Sequence, residues 1–356
     1  MTNGHYNNTR RREMSKMKCA CLVIAVIFAV VFIMPGFAPA QDKVIELTYG
    51  STYGADHPFS MVDKKWIEKI EKETKGRVKI KPYWSGTLFS GKDGGTDELI
   101  NKVVDVAMIN PSYAKSGFAV CRAMYLFTYG ANQETGRRIV RELRARFPEI
   151  DAEYKGMKVL AYTSGVDYDL ITRKPVRKVA DLKGMRIKIT ADFAPALKEL
   201  GAEGVNSPMP EAYQMVQKGI MDGLMGSLEG LKSFRLAEVA KFYTYIGLYR
   251  THNGSRAMNM DAYNKLPADI RKVFDDNIDW WGLENDKFFE GAHKAGFEVG
   301  KQQNVEFITL PKEELNKFYA AFVGTATKEA QALDAKGLPG TKIYQEAQAL
   351  VKKYNK

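Results

Sequence analysis

The chain has 356 residues, 45% of them hydrophobic and 11% aromatic, enough for two ordinary domains and too apolar for a disordered chain. Its 53 Lys/Arg against 42 Asp/Glu give a net charge of +11. Those charges are spread out, without basic runs interleaved with aromatics, which argues against a nucleic-acid partner.

The first forty residues read as an export signal. Arg10, Arg11, Arg12, Lys16 and Lys18 form a basic region, and an apolar run follows from Cys19 to Met34. Pro35 and Gly36 break it, and Ala38-Pro39-Ala40 gives a small-x-small cleavage site before Gln41. The run is short for a membrane span, so the mature protein is expected to start near Gln41 and to be soluble and periplasmic. The residues before Met14 or Met17 are compatible with a mis-assigned start. Cleavage removes five Lys/Arg and one Glu, leaving a net charge of about +7. It also removes Cys19 and Cys21, so Cys121 is left without a disulfide partner and reads as a small core residue.

Ile45–Gly50 reads as the first strand, followed by the loop 51–58 and an amphipathic helix, Ser60–Thr74, ended by Lys75-Gly76. Val78–Tyr83 alternates strictly and reads as a second strand. A glycine-rich loop, Ser85–Gly95, leads into a helix over Thr96–Lys102, and Asp105 precedes a third strand, Val106–Ile109. This strand–helix–strand order predicts a parallel sheet covered by helices. The same grammar returns with strands at Gly156–Tyr162 and Arg186–Ile189 and helices at Asp192–Leu200 and Pro210–Lys218. Asp222 then stands before a Met-containing strand as Asp105 does, which fits two similar α/β domains. Tyr263–Pro267 introduces a helix from Ala268 to about Phe297, ~40 Å long at its usual rise and expected to span both domains. Lys312–Tyr354 is helical again, broken at Gly337–Gly340.

Few motifs suggest catalysis. Gly86-Thr87-Leu88-Phe89-Ser90-Gly91-Lys92-Asp93 nearly spells a phosphate-binding loop, but Asp93 stands where a Ser or Thr should bind magnesium and would repel phosphate. His5, His57, His252 and His293 form no metal-ligand spacing, and no Gly-x-Ser-x-Gly elbow occurs. No metal, cofactor or enzyme activity is therefore expected. Polar and aromatic residues instead follow the strands: Tyr53 and His57 the first, Trp84 the second, Asn110 and Tyr113 the third. In open α/β sheets that edge binds ligands.

Several segments, in order, resemble the DctP-type substrate-binding subunits of tripartite ATP-independent periplasmic (TRAP) transporters. They are His57-Pro58; Glu73–Ile80; Gly86-Thr87-Leu88; Lys102–Asp105, with Val103 where Gly is more usual; Asp181-Leu182-Lys183-Gly184; Glu211-Ala212-Tyr213; Met221-Asp222-Gly223; and Tyr263–Pro267. The similarity runs from about Leu47 to about Lys317. It implies a two-domain, periplasmic-binding-protein-like α/β fold, with a ligand cleft between the domains and a long helix spanning both. Residues 41–165 with about 250–300 would form one domain, 166–249 with about 301–330 the other, and 331–356 a helical tail. It further implies capture of a small solute, usually a carboxylate, for small and large membrane subunits of a TRAP transporter.

Three departures bear on the ligand. The strand Met185–Ile189 puts Arg186 and Lys188 on one face, and the family's carboxylate-binding Arg falls at Lys188. A second family Arg falls at Tyr168, and a family Asn at Gly226, beside Met225. Arg offers a planar fork to a carboxylate, whereas Lys offers a point charge. Lys188 is thus expected to neutralise one acid group of a ligand larger or less polar than a C4-dicarboxylate. Met209, His252 and Asn253 complete the expected ligand-binding set. The alternatives are a receptor for an ATP-driven importer or a sensor kinase, and a secreted hydrolase using His57 or His252.

Overall fold

The computed structural model describes residues 43–124, 127–129, 132–163, 165–251 and 254–354. The expected export signal, and His252 and Asn253 of the expected site, lie outside the described residues. No helix among the described residues is long and apolar enough to cross a membrane.

In chain order the described strands are β1 (Ile45–Gly50), β2 (Val78–Tyr83), β3 (Val106–Ile109), β4 (Phe127–Tyr129), β5 (Met157–Tyr162) and β6 (Val166–Thr172). They continue with β7 (Arg186–Lys188), β8 (Glu203–Val205), β9 (Gly223–Gly226), β10 (Phe242–Arg250), β11 (Ser255–Asn259) and β12 (Glu306–Thr309). One sheet has the order β2-β1-β3-β11-β5 and the other β12-β10-β6-β9-β7-β8, with β4 also paired to β10. β4 comes from the 41–165 segment expected in the first domain, yet Tyr129, Thr128 and Phe127 pair with Leu248, Tyr249 and Arg250 of the second sheet. The chain also passes between the sheets after β5 and after β10. Gly165 sits at the first of these crossings, where a Cβ would lie 1.4 Å from the Arg250 carbonyl oxygen, so only glycine allows the two connections to touch.

The two aspartates paired in the sequence play the same part in the two sheets. Asp105 Oδ2 accepts from the Thr48 amide and hydroxyl, both at 2.8 Å, locking β3 beside its parallel neighbour β1. Asp222 Oδ2 accepts from the Arg186 amide at 2.8 Å, locking β9 beside its parallel neighbour β7.

The longer helices are α1 (Pro58–Glu73), α2 (Gln133–Arg146), α3 (Ala268–Asp276), α4 (Ile278–Gln302), α5 (Lys312–Asp334) and α6 (Gly340–Tyr354). α1 starts with His57, whose Nδ1 accepts from the Phe59 amide at 3.1 Å, and has Pro58 in its first turn. It ends where the sequence predicts, with Lys75 and Gly76 at positive φ and the Gly76 amide bonded to the Glu71 carbonyl. The single helix expected from Ala268 is instead two. At Asn277 (φ −102°, ψ 8°) the side chain donates to the Val273 carbonyl at 2.8 Å and to Glu73 Oε2 at 2.6 Å, and the helical ladder breaks there. α4, at 25 residues and roughly 37 Å, packs on α1 and β5 on one side and on the short helix Gly230–Ser233 of the other lobe. Gly296 permits this, since a Cβ there would come within 2.2 Å of the Leu228 carbonyl oxygen. α6 returns to the first lobe, where Ile343, Ala347 and Leu350 join Ile139 and Leu143 of α2 and the fully buried Cys121 in one core.

The near match to a phosphate loop is closed by its own chain. Glu98 accepts from the Ser90 and Gly91 amides at 2.9 and 2.8 Å, the donors a phosphate would need.

Candidate functional site

The strand ends of both sheets meet around a narrow cavity of about 40 Å³. The first sheet contributes Tyr53, Asn110 and Tyr113; the second contributes Tyr168, Met209, Met225, Gly226 and Arg250. His57, before α1, lines it as well. The cavity adjoins an open cleft of about 840 Å³ that shares Tyr53, His57, Glu229 and Phe234 with it.

Two buried cations define the inner end. Lys188, at the end of β7, is 2% exposed, and its Nζ lies 6.0 Å from the Tyr113 ring centroid. Among the described residues it makes no ion pair. Burial, with a further contribution from the Arg250 charge, outweighs the pull of Tyr168 and Glu211 and lowers its pKa to about 8. Arg250, the last residue of β10, is equally buried. It donates to Tyr168 Oη at 2.9 Å and to Ser112 Oγ. Register explains the first bond: Tyr168 pairs with Leu248 and Arg250 with Val166, so the two are diagonal neighbours on one face. The second bond reaches from the second sheet to the turn after β3. Asn110 shapes that turn, its Oδ1 accepting from the Ser112 amide at 3.2 Å. Arg186, by contrast, lines neither the cavity nor the cleft and donates to the Gly219 carbonyl at 2.6 Å.

The middle of the cavity is apolar: Phe59, Ile171, Leu224, Met225, Phe234 and Phe289. Gly226, lacking a side chain, leaves its own volume to the cavity. Toward the open cleft, Tyr53 stacks on His57 at 4.2 Å between ring centroids, and Phe234 lies 5.0 Å from His57. Burial, reinforced by the Arg256 charge, lowers the His57 pKa to about 3, so the ring is neutral at physiological pH. Since Nδ1 accepts from Phe59, the proton sits on Nε2. Glu229, 6% exposed, accepts from Ser227 Oγ at 3.1 Å and from Ser233 Oγ. Burial pushes its pKa up to about 7 against those two bonds.

Of the expected site residues, Tyr53, His57, Asn110, Tyr113, Tyr168, Met209, Met225 and Gly226 line this cavity; Lys188 does not line it but lies 6.0 Å from the ring of Tyr113, which does. Trp84 does not reach it. Its ring packs edge-on to Tyr49 at 5.6 Å, with Lys64 Nζ 5.9 Å from it, because the residue after β2 turns back over α1. Arg250, Ser112, Phe234 and Glu229 are contributions that the sequence reading lacks. Among the described residues no group of His, Cys, Asp or Glu could hold a metal ion.

Two sheet-and-helix lobes, a cleft at their strand ends and a helix laid along both are the architecture of a solute-binding protein. A model described as bacterial extracellular solute-binding protein, family 7 (DctP) matches residues 49–331, and the chain belongs to that family. Among its relatives, the 2,3-diketo-L-gulonate-binding periplasmic protein YiaO of Escherichia coli (strain K12) is 28% identical over 292 residues, covering 75% of this chain and 84% of that one. A TRAP solute-binding protein from Rhodoferax ferrireducens T118, in complex with copurified benzoate, superposes with a TM-score of 0.80 at 24% identity, covering 87% of this chain and 98% of that one. A marine metagenome TRAP solute-binding protein specific for aromatic acid ligands, in complex with 3-hydroxybenzoate, gives 0.80 at 23% identity, covering 88% and 100%.

Proposed function

We propose that this chain is a periplasmic receptor for a small organic acid with an apolar, aromatic-sized body, which it delivers to the membrane subunits of a TRAP transporter. One observation carries the reading: a fully buried lysine, without an ion pair among the described residues, stands near Tyr113 and a buried guanidinium, both of which line an apolar cavity. Two like charges held out of water cost stability unless an anion joins them. A carboxylate supplies that charge, and Lys188, Arg250 and Tyr168 Oη can all donate to it. The apolar middle suits a ring better than a second carboxylate, and both cited structural neighbours hold aromatic acids. The export signal would place the receptor outside the cytoplasm, as the family's description has it. The two lobes act as jaws that close on the ligand.

A thermal-shift comparison at equal concentrations tests this. Benzoate raises the melting temperature by several degrees, and succinate by less. Stabilisation by succinate alone would overturn the reading.

A further inference from the structure

We propose that the outer end of the cavity is a subsite for a hydroxyl group on the ligand's ring, with His57 Nε2–H donating to the hydroxyl oxygen and the Glu229 carboxylate accepting its proton in a hydrogen bond. This rests on the carboxylate reading above and adds to it a second polar end.

The cavity has unlike ends. Arg250 lines the cavity but not the open cleft, and Lys188 lies 6.0 Å from the Tyr113 ring of the cavity wall, whereas His57 and Glu229 line both the cleft and the cavity. A ligand anchored by its carboxylate at the inner end therefore presents its far side to His57 and Glu229. His57 is 6% exposed, its Nδ1 is committed to the Phe59 amide, and its Nε2 has no hydrogen-bond partner. A buried donor left unmade costs about 1–3 kcal/mol, so a family of folded conformations tolerates it where a ligand completes it. Glu229 is held by two serine hydroxyls, one on each carboxylate oxygen, and each oxygen keeps a second lone pair. The aromatic rings of Tyr53, Phe59 and Phe234 surround His57 at 4.2, 5.2 and 5.0 Å between centroids.

A donor and an acceptor together select a group that is both acceptor and donor. A ring hydroxyl meets both at once. An ammonium would satisfy Glu229 but place its N–H groups against the His57 N–H, and a plain ring would leave both residues unmade. Discrimination built on buried polar partners is strong, because the ligand lacking the hydroxyl leaves them unpaired.

Calorimetry with the purified mature protein tests the subsite, using benzoate, 3-hydroxybenzoate, 4-hydroxybenzoate and 4-(aminomethyl)benzoate. The better hydroxybenzoate binds about tenfold or more tightly than benzoate. Glu229→Gln and His57→Asn each bring that ratio toward one. Asn keeps an oxygen able to cap α1 while withdrawing the Nε2–H, and each variant is its own reference through its benzoate affinity. Lys188→Met instead weakens the acids together and leaves the ratio near its original value. The inference is overturned by a ratio near one in the native protein, by a ratio that survives both outer-end substitutions, or by tightest binding of the aminomethyl acid. Failure of every acid to bind overturns the carboxylate reading itself, and this subsite with it.

Discussion

Lys188→Met weakens benzoate binding by tenfold or more while raising the melting temperature of the unliganded protein. The two effects have one cause. In the free receptor Lys188 is a fully buried cation, repelled by Arg250 and without an ion pair among the described residues, and its pKa falls from 10.5 to about 8. A displacement of that size corresponds to about 3 kcal/mol of unfavourable burial, which an apolar side chain of similar length removes. In the complex the same ammonium faces a carboxylate, a charge-assisted contact contributing about 1.5–3 kcal/mol. Stability and affinity thus move in opposite directions, as expected of a group kept for binding. Calorimetry and thermal melting of one variant read both. Weaker binding with a lower melting temperature would mark Lys188 as a structural residue.

The same group sets a pH dependence. Below about 8 the free protein already holds the proton that binding uses. Above it, a proton must be taken up, so affinity for the acid falls by up to about tenfold per pH unit. For unliganded stability the sign is opposite. Between about 8 and 10.5 the unfolded chain keeps a proton that the native state has lost, so this group's contribution to stability rises with pH across that window.

Asp63→Ala lowers stability by about 3–5 kcal/mol, on the order of a 10 °C drop in melting temperature for a protein of this size. Asp63 is fully buried in α1, and four donors converge on it. Arg256 Nε and NH2 give 2.8 and 2.9 Å, Tyr49 Oη 2.6 Å and Trp281 Nε1 2.7 Å. The Arg256 guanidinium also lies 3.8 Å from the Trp281 ring centroid. These donors come from β11, β1 and α4, so one carboxylate ties the first sheet to α1 and to the helix that reaches the other lobe. Removing it leaves the Arg256 charge and two ring donors buried without their acceptor. Urea denaturation measures the loss, and a change under 1 kcal/mol would contradict the central place given to this cluster.

Much of this could be read before any coordinates. Strict alternation puts Lys188 on the face opposite Ile187, the resemblance singles it out, and the structure buries that face as well; the matching positions of Asp105 and Asp222 fit two sheets built by one rule. Arg250 was illegible because its strand loses the period of two. At Ile246 and Gly247 the backbone bulges, both amides donating to Asp169 Oδ1 at 2.7 and 2.8 Å, and the register shifts between Thr244 and Leu248. That bulge allows a cation from β10 to stand beside Tyr168. The helix break at Asn277 was hidden for a related reason: a side chain–backbone bond interrupts an otherwise continuous apolar stripe. Trp84 followed a strand as ligand residues do, yet nothing in its neighbours' spacing indicates that its ring folds back on Tyr49. Glu229 and Phe234 cap the short helix Gly230–Ser233 after β9, too short to show periodicity, and Gly296 of α4 packs against Leu228 and Glu229 there.

A crystal structure of the mature protein with bound benzoate tests the central claim most directly. Its carboxylate is expected within hydrogen-bonding distance, about 2.7–3.0 Å, of Lys188 Nζ and the Arg250 guanidinium, with the ring between Phe59 and Met225. A carboxylate held at the cleft rim by Lys232 or Arg235, with Lys188 still uncompensated, would contradict it.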